Sequence, residues 1–129
     1  VLLPAEPSDA ARLAAEQIVS RVRVLGGGEV PVHSVAALPA TGTFVALGLP
    51  GSATPPDHVE GYAIRPWERG AARGLVAVGH DAAGLTFAAQ TLVQLFERQG
   101  DRVLLHPATV RDWPVYPLRS FKTGGAFDP

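Results

Sequence analysis

The chain has 129 residues, 47% of them apolar and 18% charged, with a formal net charge of −1, the balance of one folded domain rather than of a disordered segment. Its cations are ten arginines and the single lysine Lys122, with no basic stripe, so no nucleic-acid partner is expected, because phosphate contacts need clustered Lys and Arg. Cysteine is absent, which removes disulfides, thiolate nucleophiles and Cys-based metal centres. No apolar run approaches the ~20 residues of a membrane helix, and no leader pattern is visible, so no membrane partner is expected.

"VLLP" reads as a short strand closed by Pro4. The stretch after it reads as a helix with Ser8 as its N-cap and Asp9 at the positive helix end. Ala11, Ala15, Ile18, Val22 and Leu25 recur on one face of a 3.6-residue period, and Gly26, Gly27 and Gly28 stop the helix. "VPVHSV" predicts a weak edge strand, because Pro31 cannot donate to a ladder. Residues 43–49 predict a better strand between Gly42 and Pro50, followed by a turn-rich loop. In "EGYAIRP", Tyr62 and Ile64 share one face, and Ala63 and Arg65 the other. "GLVAVGH" is nearly all apolar and predicts a central strand, joined to the previous one through "WERGAAR".

A second helix is expected over residues 82–99. Leu85, Ala88, Ala89, Leu92, Leu95 and Phe96 form its apolar stripe, and Gly100 its end. "DRVLLHPATVRDWP" predicts two short extended segments around Pro107, and "VYPLRSFKTGG" the lead-in to another strand. The order β, α, several β, α, β, with one apolar stripe per helix, predicts an α+β fold. It is a two-layer sandwich of one mixed sheet with both helices on one face.

Gly79, Gly84, Leu85 and Thr86 copy the frame of a phosphate-binding loop, but Leu85 stands where that loop needs lysine. A glycine-rich turn at a helix N-terminus can still bind an anion. Asp81 lies in this turn, however, and its carboxylate would cap the helix, occupy those N–H groups and repel a phosphate. A structural cap is therefore expected, and no nucleotide cofactor.

No metal site is expected from His33, His58, His80 and His106, which have no ligand spacing. Asp57, Glu60, Glu68 and Asp112 are scattered near loops or strand ends and read as solvated surface groups; no G-x-S-x-G elbow is present. No catalytic residue is assigned. Trp113, in "RDWPVYPLR", reads as packing at a domain junction; Trp67, after Pro66 in a loop-like stretch, is the better candidate for an exposed carbohydrate-stacking aromatic.

Several motifs together resemble the small N-terminal domain that precedes the catalytic barrel in β-N-acetylhexosaminidases of glycoside hydrolase family twenty. Related domains occur in O-GlcNAcase-like enzymes and α-glucuronidases. The residues are Gly61, Tyr62 and Ile64; Asp81 and Gly84; Gln90, Thr91, Leu92, Gln94 and Leu95; and Val110, Asp112, Pro114 and Tyr116. Their order and spacing cover nearly the whole chain. The resemblance implies a division into residues 1–113, the accessory domain, and residues 114–129, a junction and the start of a catalytic barrel. A barrel of roughly 250 residues cannot fit in the 13 residues from Pro117 onward, so the chain reads as a piece of a longer protein without the active site.

By the same resemblance the parent is a glycoside hydrolase, secreted or periplasmic, and the partner of this domain is its downstream barrel. Arg119 in "LRSF" matches a sugar-binding arginine of the first barrel strand. The residues after it, Phe121 to Gly125, depart from the family's "M-L-D-x-x-R", which leaves a related hydrolase family with the same domain order open. The alternative function is a carbohydrate-binding module working through its tryptophans.

Overall fold

The computed structural model describes residues 1–115. In chain order these form β1 (Leu2–Pro4), α1 (Asp9–Val24), β2 (His33–Val35), β3 (Thr41–Leu47), β4 (Tyr62–Arg69), β5 (Ala71–Gly79), α2 (Ala82–Val93), β6 (Phe96–Gln99), β7 (Arg102–Leu105) and β8 (Val110–Asp112). Six strands make one sheet in the order β2-β1-β3-β5-β4-β8, and β6 and β7 make a separate hairpin. The pairs β1–β2, β1–β3 and β3–β5 are parallel; β4–β5 and β4–β8 are antiparallel. The fold is α+β, with a mixed sheet as the pattern predicts, and β2 is an edge strand.

Both helices lie on one sheet face. α1 contributes Ala11, Ala14, Ala15, Ile18 and Val22, and α2 contributes Leu85, Ala88, Ala89 and Leu92. They meet Leu3, Val45, Leu47, Tyr62, Ile64, Leu75 and Ala77 in one apolar cluster. The alanines leave little side chain between the layers, so the helices pack closely on the strands and on each other. Arg21 ties the pair together by donating Nε–H to the Val93 carbonyl at 3.2 Å. The opposite face holds a smaller cluster of Leu2, Phe44, Ala46, Leu49, Ala72 and Val76, with Val35, Leu38, Ala53 and Trp67 packed against it. β5 is thus covered on both faces, which accounts for its nearly unbroken apolar run.

The expected helix over 82–99 ends early. The Gln94 and Leu95 N–H groups reach back only three residues, to Thr91 and Leu92, in the tightened turn that often closes a helix. Phe96–Gln99 then pairs with Arg102–Leu105. Leu95 and Phe96 sit at helical offsets from Leu85, but the same two residues also suit the start of a strand. Phe96 still reaches the core, now from β6. Gly100, read as a helix stop, is instead the first residue of a two-residue hairpin turn at φ +62°.

"WERGAAR" joins β4 and β5 as a hairpin, and a tight one: the ladder runs to Arg69 opposite Ala72, and only Gly70, at φ +59°, and Ala71 make the turn.

Candidate functional site

The turn before α2 is knotted to the loop over residues 56–61. Asp81 is the N-cap, in extended backbone at φ −145° and ψ −176°. Its Oδ1 accepts the Gly84 N–H at 2.8 Å, and its Oδ2 accepts the Glu60 N–H at 3.0 Å. These bonds, the one from Glu60 first, hold the Asp81 carboxyl below the usual range, because they favour the charged form. Glu60 has φ +62°, a left-handed conformation that costs a non-glycine residue about 1–2 kcal/mol. The bond from Asp81 to its amide helps hold that conformation. The Gly61 carbonyl accepts the His80 N–H at 2.8 Å. A Cβ added at Gly84 would stand 2.1 Å from this carbonyl oxygen, so only glycine lets α2 come so near.

Asp81 caps α2, as its type and position predict. Asp81 has taken the very amide a phosphate would need, Leu85 is buried, and the Thr86 hydroxyl donates to the Ala82 carbonyl at 3.0 Å.

Beside this knot a groove of about 210 Å³ opens, lined by Glu60, Tyr62, Phe87, Gln90, Thr91, Gln94, Asp112, Trp113 and Pro114. Tyr62 stands opposite Asp112 in the β4–β8 ladder, and its hydroxyl bonds the Thr91 hydroxyl across the groove floor at 2.7 Å. Trp113 is 39% exposed at the rim, with its indole stacked on the His58 imidazole at 4.3 Å between centroids and 9° between planes. Asp112 accepts the Trp113 N–H at 2.9 Å. Val59 and Val115, both exposed, flank the same edge in sequence. Glu60 and Asp112, expected to be scattered surface carboxylates, therefore share one groove. Phe87 was not singled out in the sequence, because a single aromatic outside the apolar stripe carries no signal there.

No family model matches the chain, and no curated protein matches it. Among solved structures, the chain is similar to a glycoside hydrolase family 20 β-N-acetylglucosaminidase, at 26% identity and a TM-score of 0.48. The match covers 87% of this chain and 17% of that one, so the chain spans a small part of the enzyme's length.

Trp67 lies elsewhere and is not the open platform expected. It is part of β4, not of a loop, because the β4–β5 ladder continues past it. Its indole packs on the smaller core cluster, half-buried, with the Arg65 and Arg69 guanidinium carbons 5.2 and 4.8 Å from its ring centroid. Arg119 lies outside the described residues. Among the described residues no three His, Asp or Glu side chains group as metal ligands. His80 faces Asp57 at 4.0 Å, and His106 bonds Glu97.

Proposed function

We propose that this chain is a non-catalytic accessory domain of a larger glycoside hydrolase, and that the groove at the chain's exit edge is where the downstream catalytic barrel packs. Residues 1–113 are the domain, and residues 114–129 lead into the barrel. One observation carries this reading. Tyr62, Gln90, Thr91, Gln94, Asp112 and Pro114 come from three motifs that together resemble the hexosaminidase-type domain, and all line one small groove. Asp81, Gly84 and Gly61 brace it from behind.

A groove that ends at Pro114 lies where, on this reading, the next domain begins. Its rim joins a half-exposed tryptophan to amide and carboxylate groups, the mixture of apolar anchor and polar rim that protein interfaces use. Arg119 would then bind sugar from the barrel side of the junction.

Hydrogen exchange tests the docking. In a protein extended through its natural downstream domain, the amides of β8 and of the Gln90–Gln94 turn of α2 should exchange more slowly than in the 129-residue chain. Equal exchange in both proteins would sink the proposed face. The non-catalytic reading has its own test: the 129-residue chain should not hydrolyse aryl N-acetylhexosaminides. Hydrolysis that a point substitution within residues 1–115 abolishes would overturn it.

A second reading, a carbohydrate-binding module, is favoured by Trp113 standing beside Gln90, Gln94 and Asp112. It predicts that soluble glycans change Trp113 fluorescence at millimolar concentration, and no change would exclude it.

A further inference from the structure

On the sheet face away from the helices, a cleft of about 420 Å³ separates the segment over residues 36–40 from the turn over residues 49–52. That size lies within the ~300–1,000 Å³ usual for small-ligand pockets. Leu38, Pro39, Leu49 and Pro50 give it apolar walls, and Trp67 and Arg69 close one side. Arg69 is the single charged residue of the lining; no carboxylate faces it there.

Two residues that line this cleft carry donors with no hydrogen-bond acceptor or carboxylate among the described residues. The Trp67 indole N–H is buried and has no hydrogen-bond acceptor among the described residues. Buried donors are almost always paired, so an orphan needs an explanation. Arg69 lies over the same ring and forms no ion pair among the described residues. Arg65, its neighbour on that face, differs: Nε and Nη2 both donate to the Ser52 carbonyl, at 3.0 and 2.7 Å. Arg65 is therefore engaged by a carbonyl, whereas Arg69 has only its contact over the Trp67 ring and no anion among the described residues. Trp67 and Arg69 thus bring an unpaired indole N–H and an unpaired guanidinium to the lining of one apolar cleft.

We propose that this cleft binds a small carboxylate-bearing molecule, with one carboxylate oxygen on Arg69, the other on the Trp67 N–H, and an apolar body between the proline and leucine walls. The N–H is shut off from water in the free protein, so binding must widen the cleft beside Trp67. The segment over residues 36–40, which forms one wall, has no regular secondary structure, so such a widening is local. The site is separate from the exit groove, and neither proposal depends on the other.

The test uses the 129-residue chain with Trp113→Phe, which leaves Trp67 as the sole tryptophan. Hexanoate, glucuronate, glucose and chloride are titrated at constant ionic strength. The fluorescence of Trp67 and the NMR resonance of its indole N–H are followed. At least one carboxylate should give a saturable change, with the indole proton moving downfield as it gains an acceptor. Arg69→Gln, at an exposed position, should weaken that binding about tenfold or more. A stronger response to hexanoate than to glucuronate assigns an aliphatic acid, and the reverse a sugar acid. No saturable change up to ~100 mM, far weaker than any specific site, would overturn the proposal. So would an equal response in Arg69→Gln, or one that glucose or chloride reproduces.

Discussion

The two faces of the sheet are finished by different means. On one, two capped helices lay alanine-rich stripes on the strands, and the largest fully buried side chains there include Ile18, Leu47, Ile64, Leu75 and Leu92. On the other, loops provide the cover. Arg65 holds the Ser52 carbonyl and Arg111 donates to the Thr54 carbonyl at 2.8 Å, so two arginines of the sheet tether the loop that brings Leu49 and Ala53 into the cluster with Val76. A helix brings its own hydrogen bonds and presents a regular apolar face. A loop must have its carbonyls satisfied one at a time, and it leaves gaps. The cleft beside Trp67, with its orphan N–H, is on the loop face.

Truncation should separate the faces most clearly. Leu92→Ala, at a fully buried position between helix and sheet, is expected to cost about 3–5 kcal/mol, and Leu49→Ala only about 2, because a loop can settle into the vacated space. Urea unfolding of the two variants gives both numbers, and equal losses would remove the distinction. Gly84→Ala acts at the seam between α2 and the loop over residues 56–61. Its methyl group meets a backbone oxygen rather than a flexible side chain, so about 1–3 kcal/mol should be lost, with shifted amide signals at Gly61 and His80.

Asp81→Ala removes the α2 cap and is expected to cost about 1–2 kcal/mol. The sign of its pH dependence follows from its lowered folded-state value. The unfolded chain binds the proton more readily, so the stabilisation is complete above the ordinary carboxylate value near ~4 and is lost as pH falls through the lower folded value. Unfolding midpoints measured between neutral and strongly acid pH should therefore drop less in Asp81→Asn than in the native chain. The smallest effect belongs to the loop face: Arg65→Ala should cost about 1 kcal/mol, since its two bonds share one acceptor near solvent. It should also raise exchange at Ser52 without touching α2.

Much of the helix layer was legible because its signals are local. Ser8 and Asp81 cap the helices as their types and positions predict, with side-chain oxygens accepting from the amides three residues on. Pro31 marks the edge beside β2, and the alternation from Tyr62 to Arg65 places those residues on the expected faces. The loop face was less legible. Trp67 read as exposed because it follows Pro66, yet the pairing of β4 with β5 extends to Arg69, with Pro66 itself in register opposite Leu75. The exit groove was visible only as separate motifs: nothing in a linear pattern places Gln94 beside Asp112.

By itself the sequence determined the two helix starts, the apolar stripe of α1, that of α2 from Leu85 to Leu92, and the α+β class, since capping and periodicity act within a few residues. Tertiary structure alone decided where α2 stops. Leu95 and Phe96 fit either a helix or a strand, and the partner strand Arg102–Leu105 took the residues from Phe96 onward into a ladder. It also decided that Glu60 would hold a left-handed backbone, which the Asp81 carboxylate, 21 residues away, helps to hold. Contacts across such separations depend on the packed arrangement of strands and helices, and no local pattern records them.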